Sequence, residues 1–186
     1  MEDILIIDNF LTNRYFKAIQ NTFLSSMFDW YYHDDVDNGL STNKFNYGYY
    51  HMLLDVNGNK SKYSDLMVSF LCQNLDLNPD LSTVIRSRMD MTTSRKDKHR
   101  FIPHIDIGNL EQTHYTSVFY LNESDGDTII YNETTFLSDG IPEKLTVKKT
   151  VSPVPNRLVF FKGNFIHAGH APNMYNRRVI INSNFK

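Results

Sequence analysis

The closing segment of the chain, Arg178-Val-Ile-Ile-Asn-Ser-Asn-Phe185, forms two distinct faces when it is extended, because successive side chains of a strand point in opposite directions. The mainly polar face carries Arg178, Ile180, Asn182 and Asn184. The mainly apolar face carries Val179, Ile181, Ser183 and Phe185. A polar row inside a β-barrel requires partners such as a bound charged ligand, since unpaired polar groups are costly to bury. The guanidinium of Arg178 can bind a carboxylate through two hydrogen bonds.

Short strand-like segments fill the second part of the chain. Alternating or apolar runs separated by turn residues predict strands at 83–91, 100–107, 115–121, 127–131, 144–151, 157–161 and 178–185, with a short strand around Ile166. Many short strands joined by turns are typical of an all-β sandwich or barrel.

The first part of the chain adds helices. After a short apolar strand at residues 4–7, apolar residues recur at spacings of three and four and predict helices at 13–26, capped by Thr12, and at 62–75. Aromatic segments at 28–32 and 45–54 predict strands around a loop at 33–44. The expected fold class is α+β, mainly β, with these helices packed on one sheet. We expect one domain over residues 1–186, with a helical part to about 80 and a β core from about 83.

Composition excludes several classes of protein. The chain has 186 residues, 41% apolar and 22% charged, with a net charge of −2, which indicates a globular protein. The basic run at 95–100 is short and is predicted to be a solvated loop, so nucleic-acid binding is not expected. The N-terminus lacks a basic signal region and no apolar run reaches membrane-spanning length, so we expect a soluble protein of the cytoplasm.

Cysteine usage and isolated side chains carry further expectations. The single cysteine, Cys72, excludes an internal disulfide and a multi-cysteine zinc site, and it is predicted to be buried in the second helix. His51 has no partner at ligand spacing and is predicted to be structural or on the surface. Tyr120 faces either the pocket or the core, and the core is favoured. Arg86 and Arg88 share a strand face; the surface is their favoured place, and the alternative is that one of them lines the pocket.

A histidine and an aspartate stand two residues apart in Arg100-Phe-Ile-Pro-His-Ile-Asp-Ile107. In an extended strand, His104 and Asp106 point to the same side. They supply two members of a two-histidine, one-carboxylate face, an arrangement that leaves open positions on non-haem Fe(II). The pair also fits a surface strand that carries two polar residues, so a third ligand is needed.

Two histidines and two arginines near the C-terminus offer the missing groups. His167 follows an apolar strand and a Gly-Asn turn, whereas His170 lies in the next loop, so His167 is the favoured third ligand. Arg178 is favoured over Arg177 because it shares the polar face of the closing strand. Arg177 is expected to point outward into solvent.

The order His104-x-Asp106, His167 and Arg178 resembles the iron(II)- and 2-oxoglutarate-dependent dioxygenases, in particular the small prolyl-4-hydroxylase-like members of bacteria and phages. Three further segments are similar to that family: Ile6-Ile-Asp-Asn-Phe-Leu11, Tyr120-Leu-Asn-Glu-Ser-Asp-Gly-Asp-Thr128 and Asn156-Arg-Leu-Val-Phe-Phe161. The resemblance implies a double-stranded β-helix, or jelly roll.

The same resemblance implies the cofactors and their ligands. Fe(II) is expected on His104, Asp106 and His167, and the distal carboxylate of 2-oxoglutarate on Arg178 and Thr128, with ascorbate as a reductant. Dioxygen and 2-oxoglutarate are then consumed, succinate and CO2 are released, and a C–H bond of a peptidyl, prolyl or small-molecule substrate is hydroxylated. Loops at about 33–50, 92–99 and 108–113 are expected to set specificity.

Two other functions remain open at this point. One is a non-catalytic jelly-roll binding module that retains the metal and keto-acid pocket. The other is a cupin-like isomerase or a zinc hydrolase, which gives Arg178 no specific task.

Overall fold

A computed structural model describes residues 2–36, 46–95, 99–108, 114–136 and 140–186. Parts of the three predicted specificity loops, at 37–45, 96–98 and 109–113, lie outside the described residues. The helices are α1 (Asn13–Phe23) and α2 (Ser64–Leu75). The strands are β1 (Ile4–Ile7), β2 (Tyr31–His33), β3 (Gly48–Asp55), β4 (Gly58–Asn59), β5 (Val84–Thr93), β6 (Tyr115–Tyr120), β7 (Thr128–Thr134), β8 (Val147–Val151), β9 (Arg157–Lys162), β10 (Phe165–Gly169) and β11 (Arg177–Phe185).

Two antiparallel sheets form the core of the molecule. The larger sheet has the order β1-β9-β6-β11-β5-β3-β2, with β4 paired to β3, and the smaller sheet has the order β10-β7-β8. A buried cluster lies between the sheets and contains Val118, Tyr120, Ile130, Val151, Val159, Phe161, Phe165 and Ile180. The mainly β prediction is therefore confirmed.

Both helices pack on the outer face of the larger sheet, as the sequence predicts. Phe16, Ile19 and Phe23 of α1 and Met67, Phe70 and Leu71 of α2 join one apolar cluster with Phe119, Phe160, Val179, Ile181 and Phe185 of the sheet. The apolar face of β11 thus binds the helices, and its polar face is left for the space between the sheets. Among the described residues, no helix is long and apolar enough to cross a membrane.

Several local predictions are corrected. Residues 100–107 do not form a strand but touch the rest of the sheet through two isolated bridges, Arg100 to His170 and His104 to His167. Pro103 lies between these bridges and has no N–H to extend a ladder. The strand predicted at 28–32 begins only at Tyr31. Thr12 stands at the N-cap of α1, but its side chain makes no capping hydrogen bond.

Cys72 is exposed rather than buried. The buried positions of α2 are Ser64, Met67, Phe70, Leu71 and Asn74, whose spacing of three and four defines a face that excludes position 72. The structural role predicted for His51 is confirmed. Its buried ring contacts the carbonyl oxygen of Asp29 at 2.6 Å and the hydroxyl of Ser61 at 2.7 Å.

Candidate metal centre

Backbone pairing brings the two predicted histidine ligands side by side. His104 and His167 exchange both of their backbone N–H···O bonds at 2.9 Å, although only His167 belongs to a regular strand, β10. Their ring centroids are 4.8 Å apart. His104 and Asp106 were predicted to point to the same side of a strand, and they do so although no continuous strand contains them.

Asp106 completes a compact group with the two histidines. The ligand atoms of His104, Asp106 and His167 all lie within 4.8 Å of one another. Nε2 of His104 is 3.9 Å from Oδ1 of Asp106, and Nε2 of His167 is 3.5 Å from Oδ2. The side chain of His104 is 44% exposed, whereas that of Asp106 is 4% exposed, so one side of the group opens outward.

The hydrogen bonds of the rings decide which nitrogen can bind a metal. Nδ1 of His104 lies 2.9 Å from the carbonyl oxygen of Ile102, and Nδ1 of His167 lies 3.0 Å from that of Phe165. A carbonyl oxygen only accepts, so each Nδ1 carries the hydrogen and each Nε2 presents a lone pair. Nε2 of His167 is buried without a hydrogen-bond partner. A cation at the centre of the group satisfies this atom, and the donor set of two imidazoles and one carboxylate suits Fe(II).

Asp106 is held by a dense set of donors. Its Oδ2 accepts hydrogen bonds from Asn184 at 3.0 Å, Asn182 at 3.1 Å and Thr116 at 3.3 Å. Its Oδ1 accepts from Asn182 at 3.2 Å and from Nη2 of Arg86 at 3.3 Å. Sequence alternation alone predicted the polar row of β11, and the structure assigns two of its members to one carboxylate.

The charge state of Asp106 follows from these neighbours. Burial is the largest single influence and raises the pKa of the carboxyl group, but His167, Arg86 and His104 together hold that pKa well below its usual range. Asp106 is therefore ionised. Burial also lowers the pKa of His167, and the Asp106 carboxylate more than offsets this and raises it. A proton and a metal ion thus compete for the same nitrogen.

The favoured surface position of Arg86 and Arg88 is wrong, and the alternative, that one of them lines the pocket, holds for both. Both line the cavity in front of the metal centre, because β5 pairs with β11 and sets Arg86 opposite Asn184 and Arg88 opposite Asn182. Nε of Arg86 donates to Oδ1 of Asn184 at 3.1 Å. Alternation along β5 was visible in the sequence, but its pairing with the polar face of β11 was not.

A second buried polar cluster contains Tyr120, Thr128 and Arg178. Nη2 of Arg178 and the hydroxyl of Tyr120 both donate to Oγ1 of Thr128, each at 2.7 Å. The hydroxyl hydrogen of Thr128 is therefore available to another acceptor, and Nε of Arg178 is buried without a partner. Tyr120 fills the core as predicted, since it is fully buried, and its hydroxyl also fixes Thr128. These free donors suit a carboxylate.

A glycine makes room for the arginine. A Cβ atom at Gly126 would lie 2.5 Å from the carbonyl oxygen of His170 and 2.9 Å from Cδ of Arg178. Only glycine tolerates this approach, since real Cβ atoms essentially never come that close to backbone.

The two residues that the sequence disfavoured lie outside the group. His170 follows β10 and its backbone N–H bonds to the carbonyl oxygen of Asp127. Arg177 projects to the helical side, where Nη2 donates to the carbonyl oxygen of Leu24 at 3.2 Å, so it is tied to α1 rather than solvated as expected. The geometry thus groups His167 with His104 and Asp106, and Arg178 with Thr128.

Two adjoining cavities meet at the metal centre. The inner cavity, of about 130 Å³, extends from His104, Asp106 and His167 to Thr128 and Arg178. The outer cavity, of about 360 Å³, is lined by Arg86, Arg88, Ile102, Pro103, Ile105, Phe136 and Ile141. The inner cavity thus connects the candidate metal ligands at one end to the guanidinium of Arg178 at the other.

Comparison with known proteins identifies the family. The model of the 2OG-Fe(II) oxygenase superfamily matches residues 89–186, more than half of the chain. The chain therefore belongs to the 2OG-Fe(II) oxygenase superfamily and is an oxidoreductase that uses Fe(II) and 2-oxoglutarate. No curated protein sequence gives a significant match.

Solved structures confirm the double-stranded β-helix fold. The 2OG-Fe(II) oxygenase family oxidoreductase from Burkholderia pseudomallei has 9% identity and a TM-score of 0.70 over 99% of this chain and 85% of that chain. The non-heme alpha ketoglutarate dependent epimerase SnoN from nogalamycin biosynthesis has 11% identity and a TM-score of 0.68 over 99% and 77%. A prolyl-4-hydroxylase from Pseudomonas putida has 14% identity and a TM-score of 0.60 over 99% and 92%.

Proposed function

We propose that the chain binds Fe(II) through His104, Asp106 and His167 and hydroxylates a C–H bond of a substrate that occupies the outer cavity. The observation that carries this proposal is the pair of imidazoles whose Nδ1 atoms bond to backbone carbonyls. Their Nε2 atoms and an ionised carboxylate are thereby directed at one point.

The cosubstrate is proposed to lie in the inner cavity. Arg178 binds the distal carboxylate of 2-oxoglutarate, and Thr128 donates a hydrogen bond to it. Both side chains are buried, so the interaction is weakly screened by solvent. With Fe(II) and dioxygen bound, the decarboxylation of 2-oxoglutarate to succinate and CO2 supplies the oxidant for the C–H bond. The protein residues fix the orientation of the keto acid and exclude water around its charged end.

The substrate is proposed to be peptidyl, with prolyl as one candidate, or a small molecule. The outer cavity combines apolar walls, such as Ile105, Phe136 and Ile141, with Arg86 and Arg88. This mixture suits a partly apolar group that carries a polar backbone or an anion. Similarity to a prolyl-4-hydroxylase supports hydroxylation, whereas similarity to the epimerase SnoN indicates that the same fold also serves other outcomes. Exclusion of nucleic acid as a substrate stays a prediction. A cytoplasmic site of action is also proposed, since the exposed thiol of Cys72 suits a reducing compartment.

An anaerobic titration tests the metal ligands. Fe(II) and 2-oxoglutarate added to the wild-type protein are expected to give a visible metal-to-ligand charge-transfer band. The variants His104→Ala and His167→Ala should lose the band, and His170→Ala, the matched control, should keep it. Equal bands in all four proteins would contradict the assignment.

The alternatives have separate signatures. A band without succinate formation, in the presence of dioxygen and ascorbate and across peptide, amino-acid and nucleoside panels, would indicate a binding module. Stoichiometric zinc after purification without added iron, together with no band, would indicate a hydrolase or a cupin-like isomerase.

A further inference from the structure

One arginine lies at the boundary between the two cavities. Among the described residues, the walls of both cavities share Val36, Arg88, His104 and Asp106. Two of these are the proposed metal ligands, so the guanidinium of Arg88 borders the side of the metal centre that opens toward the outer cavity. Arg88 is also the one cation that the described residues contribute to this shared wall.

The guanidinium of Arg88 forms an ion pair at one end and is available at the other. Its Nε lies 2.8 Å from Oδ1 of Asp90, and its side chain is 33% exposed. Neither Nη atom forms a hydrogen bond within the described part of the chain, and neither is enclosed away from solvent. Contact with Asp90 restricts the side chain before any ligand arrives, so less conformational entropy is lost on binding.

The neighbouring arginines are already engaged. Arg86 uses Nε for Asn184 and Nη2 for Asp106, and Arg178 binds Thr128 at the far end of the inner cavity. The two Nη atoms of Arg88 therefore form a planar donor pair that remains available beside the candidate metal centre. Such a pair matches the two oxygens of a carboxylate.

We propose that Arg88 binds a carboxylate on the open side of the metal centre. The inference rests on the proposed function and deepens it. Two sources have this chemistry: the carboxylate next to the keto group of 2-oxoglutarate, and a carboxylate on the substrate in the outer cavity. A charge-assisted interaction of this kind changes affinity by roughly 10- to 100-fold.

Two measurements on Arg88→Gln separate these sources. In the first, 2-oxoglutarate is titrated anaerobically into the Fe(II) protein, and an increase in Kd of about 10-fold or more assigns the carboxylate to the cosubstrate. In the second, succinate release is measured with N-acetyl amino acids and with the matching N-acetyl amino acid amides. If the acids give more succinate than the amides with the wild type, and Arg88→Gln loses this difference while its Kd for 2-oxoglutarate is unchanged, the carboxylate belongs to the substrate.

Two further variants separate ligand binding from a structural role. Arg88→Lys retains the charge without the planar donor pair and should restore only part of either effect. Arg177→Gln, a substitution on the helical side of the sheet, should change neither measurement. If Arg88 serves only its ion pair with Asp90, Arg88→Gln and Asp90→Asn will both lower the Tm while the Kd and the acid-over-amide ratio stay at wild-type values.

A lowered Tm with an unchanged Kd and an unchanged acid-over-amide ratio overturns the inference. The inference is also overturned if the wild type shows no preference for acids and the Kd for 2-oxoglutarate is unchanged in Arg88→Gln. A wild type without the visible band overturns the proposed function and this inference with it. A normal wild-type band with unaltered readouts in Arg88→Gln overturns this inference alone.

Discussion

Replacement of Arg178 by methionine should weaken 2-oxoglutarate binding while leaving the free protein as stable as before, or more stable. Arg178 is 6% exposed, and burial lowers the pKa of its guanidinium. No carboxylate of the described residues lies within ion-pair distance of it, and its hydrogen-bond partner is the neutral hydroxyl of Thr128. The free protein therefore carries a buried guanidinium that has no ion-pair partner among the described residues, although Asp90 and Asp127 favour its charge from a greater distance.

The size of both effects follows from this geometry. Loss of one partner of a buried, hydrogen-bonded ion pair costs about 2–5 kcal/mol, which raises the Kd for 2-oxoglutarate roughly 30-fold or more. Removal of an unbalanced buried charge should stabilise the free protein by about 1–3 kcal/mol. Oγ1 of Thr128 still accepts from Tyr120, so the substitution leaves that oxygen with a partner.

Thermal unfolding measures both quantities in one protein. Without ligand, the Tm of Arg178→Met should equal or exceed that of the wild type, with each kcal/mol worth about 2–4 °C for a domain of this size. With Mn(II) and 2-oxoglutarate, the wild-type Tm should rise and that of Arg178→Met should not. Arg177→Met is the matched control, because it removes a cation from the other face of β11 and should keep the ligand-induced rise. A large loss of stability in ligand-free Arg178→Met would refute the reasoning, since Arg178 would then be a structural residue.

Three further substitutions test the surroundings of the site. Asn184→Ala removes one donor to Asp106 and the acceptor of Arg86, and Fe(II) titration should show an affinity about 10- to 100-fold weaker; unchanged affinity would mean that the donors around Asp106 do not orient the ligand. Gly126→Ala places a methyl group against the carbonyl oxygen of His170 and the side chain of Arg178. It should lower the free energy of unfolding by about 1–3 kcal/mol in a urea titration and also raise the KM for 2-oxoglutarate; a wild-type KM would separate Gly126 from the cosubstrate pocket. Phe119→Ala, in the fully buried cluster under the helices, should cost about 3–5 kcal/mol in the same titration without changing Fe(II) affinity in the folded protein.

The proposed ligand set could be predicted from the sequence because the patterns that indicate it lie within single short segments. The two faces of β11 depend only on alternation within one strand, and the structure retains both. His104 and Asp106 also point to the same side outside a regular strand, and a backbone bridge from His104 to His167 fixes the first of them. The order of His104-x-Asp106, His167 and Arg178 along the chain then indicated the 2-oxoglutarate oxygenase family.

What the sequence did not predict depends on contacts between distant segments. The surface was favoured for Arg86 and Arg88, with the pocket as the alternative for one of them, because their strand alternates like any half-exposed strand. Their place in the cavity follows from the pairing of β5 with β11, nearly a hundred residues away in the chain. Cys72 was predicted to be buried from the apolar character of α2, whereas the orientation of that helix on the sheet decides which face is covered.

The most direct test of the central claim is the iron content of the purified protein together with its succinate release from 2-oxoglutarate in air. The wild-type chain should hold one Fe(II) and form succinate, Asp106→Ala should hold no stable iron and form no succinate, and His170→Ala should keep wild-type values for both quantities. Iron binding and succinate release that persist in Asp106→Ala, or that vanish in His170→Ala alone, would contradict the account.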